Sequence, residues 1–217
     1  VYKRQPLSNS LPGLNPYLRS GRPEDAMRGH ESSEHLELWS AVFCSYTKDY
    51  SAIEAWLRQV EKDPERALEV ARDLVEARVV PDAITLGFSP QVLVGALALR
   101  GRLTVVTSPE VERGVGPASL SRRALDIYED RVELVIVPFA PSAQLGPDDV
   151  LRQLAEALFS LRTEGARILD ISGGTQLVPI AAMMAGFEEL SYAYPDGRKL
   201  IFHGPIKISR ESLRTHE

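Results

Sequence analysis

From Pro81 onward the chain alternates short, almost unbroken apolar runs with longer helical patterns, and this alternation restricts the fold more than any other feature. The apolar runs are Ala83–Gly87, Leu103–Thr107, Glu133–Pro138 and Arg167–Ile171. Helical patterns follow over Pro90–Leu99, around Ala118–Tyr128, from about Asp148 to Thr163 and over Gln176–Phe187. The third of these turns Val150, Leu151, Leu154, Leu158 and Leu161 to one side. Strands that are apolar throughout are covered on both faces, and helices between them carry the chain across to a parallel neighbour. The expected fold is therefore α/β, a Rossmann-like and mostly parallel sheet with helices on both faces, over residues 81–208. Leu190–Tyr194 and Lys199–His203 flank Pro195-Asp-Gly-Arg198, a hairpin signal that adds an antiparallel strand.

Ahead of Pro81 the patterns differ. Residues 1–33 hold Pro6, Pro12, Pro16 and Pro23 and no apolar period, which reads as an extended or disordered arm. Residues 34–80 read as a small helical region. Leu36, Trp39, Ala41, Val42 and Phe43 begin one apolar face, and Ile53, Trp56, Leu57 and Val60 make a second. Asp63 is placed to cap a third helix with Pro64 in its first position. Ala67, Leu68, Ala71, Leu74 and Val75 follow as its stripe. Residues 209–217 read as a tail.

Composition removes several classes of function. A net charge of −5 offers no general basic footprint, which argues against coating duplex nucleic acid. Cys44 is the only cysteine, so no disulfide framework or cysteine-based zinc site forms within one chain; no metal site and no cofactor are expected. No apolar stretch approaches the ~20 residues that span a bilayer, and no signal peptide is evident, so a cytoplasmic protein is expected. The chain opens on Val1 rather than Met, which leaves its native start open.

In an open α/β sheet, ligands bind beyond the carboxyl ends of the strands. Three segments reach that edge with suitable residues. In Gly87-Phe88-Ser89-Pro90-Gln91, Gly87 allows a sharp turn, Ser89 is placed to cap the next helix, and that helix starts at Pro90 with its free N–H groups at the edge. Thr107 and Ser108 bring hydroxyls to the next strand end. The most informative segment is Asp170-Ile-Ser172-Gly173-Gly174-Thr175-Gln176. Its paired glycines are expected to expose successive N–H groups as an anion nest, with Ser172 and Thr175 adding hydroxyls and Gln176 an amide. It is neither a Walker A loop nor GxGxxG.

A strand entering this turn resembles the (D/N)-x-T-G-G-T-(K/R) signature of CARF domains, the CRISPR-associated Rossmann fold. Gly87–Gln91, with its helix and Leu103–Ser108, is similar to the opening strand–turn–helix–strand of the same family. The resemblance covers roughly residues 82–205. It implies a homodimer that binds cyclic oligoadenylate (cyclic tetra- or hexa-adenylate), the second messenger of type III CRISPR systems, across its two-fold axis. By position, Ser89 and Gln91 would lie near adenine or ribose, and Gly87, Phe88, Thr107 and Ser108 would belong to the same ligand-binding set. Ser172, Gly173, Gly174, Thr175 and Gln176 would hold phosphate and ribose. Ser172 stands where the family has Thr, and Gln176 where it often has Lys or Arg, which removes a positive charge.

Some proteins of this type are metal-independent ring nucleases, in which a ribose 2′-OH attacks the adjacent phosphate in line. Ser89, Ser172 and Gln176 are the candidate catalytic residues; no base is obvious, and His203, at the end of the last strand, could approach the site but reads more readily as structural. A ligand-responsive transcriptional regulator is a further alternative, with residues 34–78 as its DNA-binding helices. Glu61, Asp63, Glu65, Glu69, Asp73 and Glu76 in that segment leave no basic recognition face. Arg28 and His35 meet the R-x4–6-H spacing of HEPN ribonucleases, but they precede the helices and read as a chance match.

Overall fold

A computed structural model describes residues 33–45, 47 and 49–207, with side chains from Glu37 on. The expected arm, the tail and the Arg28–His35 pattern lie outside the described residues and side chains. Three helices come first, α1 (Ser33–Phe43), α2 (Tyr50–Lys62) and α3 (Pro64–Leu74), followed by strand β1 (Val75–Ala77). The alternating part then runs β2 (Ala83–Leu86), α4 (Pro90–Arg100), β3 (Leu103–Thr107), α5 (Pro109–Glu112), α6 (Ser119–Ile127) and β4 (Val132–Ile136). It continues α7 (Pro147–Thr163), β5 (Ile168–Asp170), α8 (Leu177–Met184), β6 (Glu189–Pro195) and β7 (Leu200–Lys207).

The seven strands form one sheet in the order β1-β7-β6-β5-β2-β3-β4. Strands β2 to β6 are mutually parallel; β7 runs antiparallel to β6, and β1 pairs in parallel with β7. The expected fold class is the observed one, with the hairpin where the turn signal put it. Asp196 closes that hairpin, its Oδ1 accepting from the N–H groups of Arg198 and Lys199, each at 2.8 Å.

Each face of the sheet has its own apolar layer. On one, α7 and α8 lay Leu154, Leu158, Val178, Ala181 and Ala182 against Ala83, Val106, Leu169 and Leu190. On the other, Gly95 of α4 approaches Leu200, Phe202 and Phe43 so closely that a Cβ would sit 2.8 Å from the Leu200 side chain. Beside it, Trp39, Phe43 and Trp56 form a buried aromatic cluster, with Trp39 and Trp56 edge to face at 5.4 Å between ring centres. Burial of three large aromatic rings is the main reason for α1 and α2 to dock.

The helical lead-in differs from expectation in two ways. The α3 stripe stops at Leu74, because Val75-Glu-Ala77 is a strand in register with Leu200–Phe202. From Glu37 on, the described residues form one compact unit. Ala41, placed on the apolar face of α1, is exposed. Asp63 caps α3 as expected, its Oδ1 accepting from the Arg66 N–H at 3.0 Å.

Candidate functional site

The chain steps outward from β2 to β3 and β4, then crosses back through α7 to place β5 and β6 on the other side of β2. The order reverses between β2 and β5, and the loops after these two strands leave the carboxyl edge in different directions. Such a switch point opens the crevice in which open α/β sheets bind ligands. Gly87–Gln91 follows β2 and Ser172–Gln176 follows β5, so two of the three predicted segments meet there.

They meet backbone to backbone. Ile84 is level with Asp170 in the parallel ladder, which brings Gly87 level with Gly173. A Cβ on Gly87 would lie 2.3 Å from the Gly173 carbonyl oxygen; one on Gly173 would lie 2.2 Å from the Thr85 carbonyl oxygen. Both residues are glycine because nothing larger fits between the loops. Gly174 is constrained by its own helix, where a Cβ would sit 2.3 Å from a methyl of Val178.

The consecutive anion nest expected of Gly173-Gly174 is not present. Neither residue has a left-handed φ, and alternate donors are already used. The Ser172 N–H bonds Asp170 Oδ1 at 3.0 Å and the Gly174 N–H bonds the Ile171 carbonyl at 3.5 Å. The N–H groups of Gly173, Thr175 and Gln176 are left without an acceptor among the described residues. They sit at the N-terminal end of α8, and the N-terminus of α4 lies at the same edge, so two helix dipoles favour an anion here.

Several predicted hydroxyls serve the protein rather than the crevice. Ser172 donates through Oγ to Asp170 Oδ1, and the same oxygen accepts from the Ala193 N–H at 2.6 Å. Thr175 Oγ1 donates to the Phe139 carbonyl at 2.6 Å, tying the turn to the loop after β4. Thr107 Oγ1 donates to the Leu86 carbonyl at 2.8 Å. Ser108 is buried, and its hydroxyl helps to hold the Glu110 carboxyl below its usual range.

Ser89 occupies the cap position of α4, but its hydroxyl makes no capping bond, contrary to expectation. Its carbonyl instead accepts from the Val92 N–H at 3.1 Å. Phe88 is 56% exposed, Gln176 is exposed, and Gln91 is buried with Oε1 unpartnered. The groups free to meet a ligand are therefore Phe88, the Ser89 hydroxyl, the Gln176 amide and the loop N–H groups. No charged side chain occurs in Gly87–Gln91 or from Ile171 to Phe187.

Beneath the turn lies a polar network that sequence reasoning missed. Asp170 is fully buried, and its carboxylate accepts from Ser172 and, at 2.8 Å, from the hydroxyl of Ser191 in β6. Burial pushes the Asp170 carboxyl up to about 6, opposed by the hydrogen bonds of Ser172 and Ser191. A serine within the apolar run Leu190–Ala193 was the available signal, since a buried hydroxyl needs a partner. His203 stands opposite Tyr192 in the β6–β7 ladder and meets Tyr194 edge to face at 6.3 Å.

A separate cleft of about 360 Å³ opens at the other edge of the sheet, lined by Asp82, Arg100, Arg102, Asp130, Arg131 and Glu133 among others. Its arginines and acids balance, and Arg100 is paired with Asp82 at 2.6 Å and Arg131 with Glu65. It has neither the switch-point position nor the field of an anion site. Among the described residues no acidic, histidine or cysteine cluster is arranged to hold a metal, and no helix is long and apolar enough to cross a membrane. No protein-family model and no curated protein matches the chain.

Proposed function

We propose that this protein binds a cyclic oligoadenylate across a homodimer, as a sensor of the CARF type in a type III CRISPR antiviral system. The observation that carries this reading is the contact of the Gly87 and Gly173 backbones at the switch point, which joins two family-like loops into one anion-facing edge. A cyclic ligand with internal symmetry suits two such edges related by a two-fold axis. The outer side of α8 supports a second copy: Ile180, Met183 and Met184 are exposed at helical spacing, in a stretch without charge.

The geometry favours binding over cleavage. Of the candidate catalytic residues, Ser172 has its hydroxyl engaged by Asp170 and Ala193, leaving Ser89 and Gln176, neither of which is a base. His203 contacts Tyr194 rather than the turn. The regulator alternative gains no basic surface, because within residues 34–78 Arg58, Arg66 and Arg78 are paired with Glu54, Glu69 and Glu76.

Calorimetric titration with synthetic cyclic tetra- and hexa-adenylate tests the reading. One ring per two chains is expected, and the ring is expected to be recovered intact after prolonged incubation with excess protein. Because N–H groups and helix dipoles rather than Lys or Arg face the phosphates, affinity should fall only shallowly as salt is raised. Failure of both rings to bind would reject the proposal.

A further inference from the structure

The turn after β5 is bracketed by exposed aromatic side chains on both sides. In the sheet β5 lies between β2 and β6. On the β2 side Phe88 directly follows the glycine that touches Gly173, and more than half of its surface is open. On the β6 side, Asp170 is level with Ser191 and the Ile171 N–H bonds the Ser191 carbonyl at 3.0 Å, which sets Tyr192 beside Ile171. The bond from the Ala193 N–H to Ser172 Oγ fixes that placement between the two tyrosines.

Along β6, Tyr192 and Tyr194 fall on the face that Leu190 turns to the α7–α8 layer, and Ser191 and Ala193 on the other. Tyr192 is 41% exposed. Tyr194 is braced edge to face by His203, at 84° between ring planes. The Phe88 and Tyr192 rings are exposed, have no ring partner among the described residues, and flank a turn with unsatisfied N–H donors. Planar, sequence-tolerant stacking on aromatic side chains is how proteins hold unpaired nucleobases.

We propose that Phe88 on one side and Tyr192 on the other stack the two nucleobases that flank the phosphate held at Gly173–Gln176, so that one chain grips a base–phosphate–base unit. The β2 and β6 backbones are two strand spacings apart, roughly 9.5 Å, a separation that two splayed bases of one dinucleotide bridge. Tyr192 thereby becomes a ligand-contacting residue. This inference rests on the oligoadenylate reading above.

The test uses cyclic tetra- and hexa-adenylate carrying 2-aminopurine in place of one adenine, whose fluorescence is quenched on stacking. The full-length protein is compared with Tyr192→Leu, Tyr192→Phe and Phe88→Leu. Quenching by the wild type is expected, with Tyr192→Phe retaining both affinity and quenching. Tyr192→Leu and Phe88→Leu should each weaken binding about tenfold or more and lose part of the quench. Tight binding by wild type with unchanged affinity and quenching in both leucine variants would overturn the stacking assignment alone. Absence of any binding by wild type would overturn the oligoadenylate reading together with it.

Discussion

The carboxyl group of Asp170 accepts from two hydroxyls and a backbone N–H and still titrates at about 6, because complete burial costs the charged form more than those donors return. The consequence for stability has a definite sign. Below the ordinary aspartate value both folded and unfolded chains carry the proton; between there and pH ~6 only the folded chain keeps it. Asp170 therefore adds stability that is complete below pH ~4 and is lost as pH rises towards 6, by about 3 kcal/mol in all. The difference in urea stability between wild type and Asp170→Asn should follow that course and level off above pH 6; a difference that stays flat from pH 4 to 6 would contradict it. The turn motif was legible in the sequence, but the use of its hydroxyls was not. Ser172 and Thr175 are polar residues beside glycines, which fits a ligand loop and an internal brace equally well. Only the positions of Ala193 and Phe139, far along the chain, decide for the brace.

At the scale of elements, the join between the β5 turn and α8 depends on one steric fit. Gly174 faces the branched side chain of Val178, whose χ1 has little freedom in a helix. Gly174→Ala should cost about 1–3 kcal/mol and weaken oligoadenylate binding by displacing the turn. Val178→Ala in the same chain should recover binding only in part, because it removes the two methyls but leaves the Val178 Cβ 2.8 Å from the new one. Thermal unfolding and titration of the single and double variants check this, and a double variant no better than Gly174→Ala would count against the steric account. The helices and strands from β2 onward were legible because their apolar period changes at each boundary. β1 was not, since Leu74 and Val75 continue the α3 stripe without a break. Val75–Ala77 becomes a strand through its partner β7, about 125 residues away in sequence, a choice made by tertiary pairing over local pattern.

At the scale of the whole molecule, the sheet order was only partly readable. Alternation predicts a parallel sheet, but it does not say that β5 returns to the side of β2 away from β3, and that return is what creates the crevice. The proposed dimer makes its own demand on this architecture. A two-fold contact through α8 brings Met184, 60% exposed, into apolar surroundings, so Met184→Lys should leave a monomer by light scattering and weaken ring binding in parallel. A dimer that survives this change would place the interface elsewhere. The Gly87–Gly173 contact has a mechanical meaning beyond its fit. With no side chain between them to absorb displacement, the two loops work as a hard stop: the β5 turn cannot move towards β2 without pressing directly on the Gly87 backbone. Such pressure falls at the base of α4, the helix whose Gly95 lies against the Phe43 ring of the aromatic cluster on the same face of the sheet.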